Sequence, residues 1–488
     1  MIPLTKRAGR QVLKQQRRRI SELETQVADL AAKRAQQDAV IARLPQQAAD
    51  LSAQVARLLK NSSTSSKPPS SDLVKPPKPP GPKGGKRQIG GQPGHPPHQQ
   101  EPFAPEQIDR VEKHLLHECP DCGGMVRPAA APARVIQQAE LIGRPVKIVE
   151  HQAGALECVR CGKIHDAPLP AAVEQGGLIG PELTALVAYL KGVGHASFCT
   201  IRKYFRDVLK LTVSRGQLVK LINKTAAAMD FAYEQLRTSL SDEKHLNADE
   251  TGHKEKGKPW WTWCFRAELS TLFKIDSSRG SQVLIEVLGR EFEGVLGCDY
   301  FSAYRKYMGD LDVAVQFCLA HLIRDVKFLT TLPDKITAAY GQRVLEGLRE
   351  LFHIIHRRDK MDPSRFQWAL EKARDELIAV GQRAPQRSEA QNLAKRFRLH
   401  GEGYFRFIAT PGIEATNNLA EQAIRFVVLD RRVTQGTRSE RGRRWCEGIW
   451  TAIGTCAQQG RSVFHDLRDA LYAQVRGEPA PSRLPAGP

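Results

Sequence analysis

Residues 245–252 read HLNADETG and residues 294–299 read GVLGCD, two short runs that each carry an aspartate, Asp249 and Asp299, at or near the end. Around them the chain changes from a helical repeat to strand-like alternation. Trp260 to Ala267 and Leu269 to Asp276 follow His245–Asp249 as two further strands of a meander. A helical pattern then spans roughly Arg279 to Glu291, Gly294–Asp299 is a fourth strand, and Val313–Cys318 is a fifth that leads into a helix at His321.

Three strands, a helix, a strand, then a further strand and helix is the element order of a ribonuclease H-like α/β fold. In that fold the first and fourth strands are neighbours, so Asp249 and Asp299 can share metal. Hard cations take oxygen ligands. Phosphodiester transfer needs a hydroxyl activated in line with a leaving oxygen, and two Mg²⁺ about 4 Å apart can stabilise both. A third acid should come from a helix, and TNNLAEQAIR at 416–425 offers Glu421, with Thr416 as its cap. Asn417, Asn418, Glu421 and Arg425 recur on or near one face, opposite Leu419 and Ala423. Glu402 and Glu414 are rivals without the asparagine-rich start. Between Asp299 and Glu421 lie 121 residues, and most of 330–410 reads as a helical insertion.

Basic side chains surround the proposed third acid. Arg425, Arg431, Arg432, Arg438, Arg441, Arg443 and Arg444 face only Asp430 and Glu440 within 425–444, which suits phosphate contact over a solvated face. Upstream, Ile201 to Lys220 reads as a helix, a short turn and a second helix capped by Ser214. This is either a helix-turn-helix with Arg215, Gln217 and Lys220 turned to a DNA groove, or two ordinary packed helices. Trp260, Trp261 and Trp263 suit hairpin and core packing better than a platform for a flipped base. Cys318 and His321 have metal-ligand spacing but no partner pair, so they read as structural.

The N-terminal part has a different character. Ile20, Val27, Arg34, Ile41, Ala48 and Val55 occupy heptad position a, and Leu23, Leu30, Gln37, Leu44, Leu51 and Leu58 position d. That seam predicts a homo-oligomer through a coiled coil, kinked or split at Pro45, with an intramolecular hairpin as the alternative. Residues 61 to about 105 are rich in Ser, Pro, Gly and Lys and cannot form a core; they are a disordered spacer or a basic arm that tracks phosphates. Cys119-Pro-Asp-Cys122 and Cys158-Val-Arg-Cys161 supply four thiolates for one structural Zn²⁺, brought together by strands around Val146 and Ile148.

Composition agrees with a nucleic-acid partner. Lys and Arg number 73 against 53 Asp and Glu over 488 residues, a formal charge of +20. No apolar stretch long enough to span a membrane occurs, and the ten cysteines form no disulfide framework, so a cytoplasmic site is expected, nucleoid-associated in a prokaryote. No phosphate-binding Gly-x-x-x-x-Gly-Lys box supports an ATP-driven motor.

The ordered motifs NSSTSSKPPSSD, GGQPGH, the paired Cys-x-x-Cys, Asp249-Glu-Thr-Gly, Asp299-Tyr-Phe-Ser-Ala-Tyr304, Cys318-Leu-Ala-His321, Asn417-Asn-Leu-Ala-Glu421 and Gly436-Thr-Arg-Ser resemble those of the insertion sequence 66 family of transposases. The resemblance covers nearly the whole chain. It implies an aspartate-aspartate-glutamate catalytic domain with Asp249, Asp299 and Glu421 as Mg²⁺ ligands, an N-terminal coiled coil, a zinc-binding region and a helical insertion. It implies double-stranded DNA, both element ends and target, as substrate, and accessory proteins of the same element as partners. Gln422 departs from the family pattern, which usually has arginine there.

The expected organisation is multidomain α+β: coiled coil 1–60, basic linker 61–105, zinc-binding module 106–175, helix-turn-helix-like region 176–240, a ribonuclease H-like catalytic domain in two parts, 241–329 and 411–475, split by the helical insertion 330–410, and a disordered tail 476–488. Two other functions compete. A tyrosine recombinase would use His321-Leu-Ile-Arg324 with Tyr404 or Tyr472 and leave both aspartates without a role. A non-catalytic zinc and helix-turn-helix regulator would be a transposase that no longer cuts.

Overall fold

The computed structural model describes residues 6–61, 64, 102–113, 117, 118, 120–127, 135–139, 141–143, 145–170, 173 and 177–485. Cys119 and nearly all of the Pro/Ser/Gly linker lie outside the described residues. The chain forms two compact units, one of residues 1–77, 169–201 and 214–488, the other of residues 78–168 and 202–213.

Within the second unit, β1 (Ala155–Glu157) pairs antiparallel with β2 (Ile164–Asp166), and the hairpin is exposed along its length. The strands bracket Cys158 and Cys161. They do not lie at Val146 and Ile148, where alternation had suggested them: residues 145–150 carry no strand, because alternation without a paired backbone makes no ladder. An isolated bridge between Glu118 and Met125 brackets the first cysteine turn in the same way.

The larger unit begins with α1 (Lys6–Leu58), a single helix that continues through Pro45 instead of dividing into two coils or folding back. Its seam residues Ile20, Leu23, Val27, Leu30, Ile41 and Leu44 are exposed. Among the described residues, its last turns and the residues just after them meet the rest of the unit, through buried Ala53, an Arg57–Glu389 ion pair at 2.7 Å and a Lys60–Asp325 pair at 3.9 Å. Helices α2 (Pro181–Gly192) and α4 (Arg215–Ser239) follow in this unit, while α3 (Phe198–Asp207) begins in it and runs into the smaller one.

The sheet comprises β3 (His245–Glu255), β4 (Lys258–Arg266), β5 (Thr271–Asp276), β6 (Val295–Cys298) and β7 (Val315–Phe317), in the spatial order β5-β4-β3-β6-β7. The first three strands form an antiparallel meander, and β6 and β7 add parallel to β3. Parallel neighbours need a crossover. Helix α5 (Ser281–Leu288) serves β5 to β6, and α6 (Ser302–Leu311), which the sequence reading missed, serves β6 to β7. Trp263, Phe265, Leu272, Val283, Leu284, Tyr304 and Tyr307 share one core with Leu246, Leu296 and Phe317.

After β7 come α7 (Leu319–Thr330) and the three long helices α8 (Lys335–Ile355), α9 (Pro363–Gln382) and α10 (Ser388–Ala409), which fill the stretch expected to be helical. Then α11 (Asn418–Thr434) crosses β3, α12 (Glu440–Gln458) covers edge strand β5, and α13 (Val463–Arg476) closes the unit. The cover on β5 is specific. The N–H groups of Thr271, Phe273 and Ile275 donate to the side chains of Thr455, Thr451 and Glu447. Two strand residues rise about 6.6 Å and four helix residues about 6 Å, so an i, i+4, i+8 row on the helix keeps step with alternate N–H groups of the strand. The edge thus has no free ladder to offer another chain. Beyond α13, residues 477–485 are not the free tail expected, because buried Arg483 pairs with buried Asp466 at 2.8 Å.

Candidate active site

Strand β3 pairs with β6 at His245↔Val295, Leu246↔Leu296 and Asn247↔Gly297. Extended two residues further, the same register would bring Asp249 level with Asp299, which directly follows the end of β6. Asp249 Oδ1 accepts from the Glu250 N–H at 2.9 Å, and Asp299 Oδ1 from the Phe301 N–H at 2.8 Å. Both keep some exposure, but protein crowds their carboxyl groups. Burial, then the neighbouring charges of Glu250, Asp299 and Glu421, raises the proton affinity of Asp249 well above the usual carboxylate range. Burial and Glu250 push Asp299 up to about 7, against the opposing pull of the Phe301 N–H and Arg279.

Glu421 arrives on α11, one turn past a clamp. Asn417, buried at the helix N-cap, accepts from Asn247 Nδ2 at 2.9 Å and donates to the Ala248 carbonyl at 2.7 Å. The cap position therefore belongs to Asn417 and not to Thr416, and its side chain is spent on β3 instead of on the helix. Glu421 lies 3.6 Å from His321 Nε2 and 3.6 Å from Arg324 Nη2, and its buried Oε1 has no hydrogen-bond partner. Of the rivals, Glu414 is exposed and Glu402 is 95% exposed.

Among the described residues, the one set of three metal-capable side chains with donor atoms all within 4.8 Å of one another is Cys318, His321 and Glu421, not the three acids. Cys318 and His321 sit at the start of α7, and α11 supplies the third partner that local spacing could not reveal. Burial and Arg324 lower the proton affinity of His321, which keeps its ring neutral near pH 7.

Several neighbours escaped the sequence reading. Glu250, 2% exposed, holds Arg279 at 2.6 Å and the Tyr304 hydroxyl at 2.6 Å. The Arg279 guanidinium lies 4.4 Å from the Trp261 ring and 3.9 Å from the Phe301 ring. Trp263 is fully buried, and Trp260 carries Arg443 at 4.9 Å, so the tryptophans are packing groups.

Of the basic cluster, Arg425, Arg432, Arg438, Arg441 and Arg444 are exposed. Arg431 is partly buried and donates to Thr251 Oγ1 at 3.2 Å, and Arg443 pairs with Glu255 at 3.3 Å. Ser214 caps α4 by accepting from the Gln217 N–H at 3.1 Å, with Arg215 and Lys220 exposed and Gln217 partly so. In the smaller unit, the backbone N–H groups of Cys161 and Arg160 lower the proton affinity of the Cys158 thiol, and Gly162 takes the left-handed φ of +68° that the turn requires. The described thiols of Cys122, Cys158 and Cys161 are not gathered within 4.8 Å.

Residues 176–444, more than half the chain, match the model of the family described as Transposase IS66 family. By class this is a transposase, a protein that acts on DNA. The chain belongs to the IS66 family. Residues 12–101 match a separate family of unknown function, DUF6444. Two curated relatives come from Sinorhizobium fredii (strain NBRC 101917 / NGR234). Uncharacterized protein y4qI is 21% identical over 427 residues, covering 81% of this chain and 78% of its own length. Uncharacterized protein y4hP is 23% identical over 395 residues, covering 72% and 70%. No helix among the described residues is long and apolar enough to cross a membrane.

Proposed function

We propose that this transposase cuts DNA at the ends of its element and joins the freed ends to target DNA, with Asp249, Asp299 and Glu421 holding two Mg²⁺ on a ribonuclease H-like domain. The reading rests on the β3–β6 register, which extended by two residues brings Asp249 level with Asp299 just past β6, and on Glu421 being clamped to β3 through Asn417. The donor set suits a hard cation: Asp299 and Glu421 both add to the charge that raises the proton affinity of Asp249, and Asp249 and Asp299 hold protons far more tightly than free aspartate. When bound, Mg²⁺ supplies Lewis-acid stabilisation of the attacking and leaving oxygens.

The chain's own side chains do the rest. Asn417 orients α11, and Arg279 offsets the charge of Glu250, which would otherwise add to the repulsion between the aspartates. Exposed Arg425, Arg432, Arg438 and Arg444, with Arg431 and Arg443 behind them, hold backbone phosphates without reading sequence. Arg215, Gln217 and Lys220 at the start of α4 are assigned to the groove of the element end. A structural Zn²⁺ on Cys119, Cys122, Cys158 and Cys161, oligomerisation through α1, and accessory proteins of the element complete the proposal. Cleavage of labelled end DNA by wild type and by Asp249→Asn, with binding measured alongside, tests it: equal cutting would refute the metal assignment.

A further inference from the structure

Beyond the three acids, a second donor set stands beside them. Cys318 occupies the N-cap of α7, where its Sγ accepts the Asn417 N–H at 3.2 Å; burial raises the proton affinity of its thiol, against the pull of the Asn417, His321 and Ala320 N–H groups. His321 follows one turn on. Its Nε2 is 3.6 Å from Glu421 Oε1, too long for a hydrogen bond. Glu421 Oε1 is a buried polar atom with no hydrogen-bond partner. A cation bound there would give the bare carboxylate oxygen a partner.

We infer that Cys318, His321 and Glu421 Oε1 bind one Zn²⁺, which fixes the glutamate so that Oε2 is presented to the catalytic Mg²⁺. The donor chemistry selects the ion. A thiolate and an imidazole suit zinc and are poor ligands for Mg²⁺. Zinc bonds of about 2.0–2.3 Å set tetrahedral ligand edges of roughly 3.3–3.6 Å, which the 3.6 Å separation of Nε2 and Oε1 matches. Three protein donors leave a fourth position for water. The arrangement is also economical in charge: Glu421 shares one carboxylate between two cations instead of facing Asp249 and Asp299 unneutralised. The positioning role, though not the zinc site itself, rests on the two-metal reading above.

The test measures zinc per chain in full-length protein made with zinc supplied, for wild type, Cys318→Ser, His321→Gln and Asp249→Asn. Wild type and Asp249→Asn should carry one equivalent more than either of the other two, because the cysteines of the smaller unit contribute equally to all four. Equal zinc in wild type, Cys318→Ser and His321→Gln would overturn the site. Should Cys318→Ser fail to fold, His321→Gln decides alone. The Mg²⁺ concentration for half-maximal cleavage should rise roughly tenfold in His321→Gln; an unchanged value would overturn the positioning role. The two readings fail separately: Asp249→Asn that still cuts refutes the Mg²⁺ assignment without touching the zinc count.

Discussion

Asn417 at the start of α11 is joined to Asn247 of β3, accepting its amide hydrogen at 2.9 Å while donating to the next carbonyl, that of Ala248, at 2.7 Å. The helix that bears Glu421 is thereby registered on the strand that bears Asp249. Asn417→Ala leaves buried polar groups on both sides unpaired, at a cost of about 1–3 kcal/mol. The expected result is a lower melting temperature and at least a tenfold loss of cleavage with DNA binding retained. Full cleavage by a folded Asn417→Ala protein would show that the clamp does not orient the glutamate.

Gly297 tests the same clamp from the neighbouring strand. A Cβ there would stand 2.5 Å from Asn247 Nδ2, so Gly297→Ala must push the Asn247 side chain away from Asn417. Because both changes break one interaction, the Gly297→Ala, Asn417→Ala double variant should lose clearly less stability than the sum of the single losses. Thermal melts of the four proteins read this directly, and strict additivity would separate the two residues.

Glu447 gives a pH dependence. Burial pushes its carboxyl up to about 7, against the Ile275 N–H and the charges of Lys274, Arg443 and Arg444. The folded state then binds more protons than the unfolded state between about 4.5 and 7, so this group's stabilisation is complete at low pH and is lost as pH rises through 7. The shift corresponds to roughly 3 kcal/mol at most. Glu447→Gln keeps an acceptor for the Ile275 N–H, so it should melt like wild type near pH 4.5 and higher than wild type at pH 8. His253, held down to about 4 by burial beside Arg431 and Arg443, acts oppositely, destabilising the fold as pH falls below 6.5. The wild-type and Glu447→Gln difference isolates the carboxyl.

A change of periodicity located the three strands of the meander and short apolar runs located β6 and β7, which are buried instead of half-exposed, while the expectation of neighbouring aspartates came from the ribonuclease H-like element order. Ser214 was readable as a cap because capping is local. Helix α6 was not: ten residues that anchor themselves by Tyr304 and Tyr307, not by an aliphatic stripe, give little periodic signal. The Asn417 clamp was hidden for another reason. Its partners lie 170 positions away, and a cap-like asparagine looks the same whether it bonds its own helix or a strand. Cys318 and His321 lacked a third ligand in the sequence because Glu421 follows them by a hundred residues of helices.

Helix α1 is 53 residues long, and its exposed Ile20, Leu23, Val27, Leu30, Ile41 and Leu44 gain little from water. Pairing with a second copy buries them. Leu23→Glu with Leu30→Glu places charges in that seam, so sedimentation should show the full chain shifting to a smaller species while the catalytic unit keeps its melting transition. Equal masses for wild type and variant would remove α1 as the oligomer contact. Arg34 and Gln37 adjoin in the middle of the seam, and replacing both with Leu should tighten association.

The last prediction concerns the paired aspartates themselves. Asp249→Asn and Asp299→Asn keep shape and hydrogen-bonding capacity but remove the charge that holds a hard cation. The hydrogen bonds from the Glu250 and Phe301 N–H groups can be kept by an amide oxygen, so the strands should stay in register. Removing charge from a crowded carboxylate cluster relieves repulsion, and the variants should melt no lower than wild type without metal. Cleavage of labelled element ends in Mg²⁺ should nevertheless fall on the order of a thousandfold. Binding should persist, because the residues assigned to DNA, the arginines of α11 and α12 and the start of α4, are unchanged in these variants. A variant that melts higher, binds equally and does not cut separates chemistry from folding and recognition. One that cuts at the parental rate would remove both aspartates from the metal site.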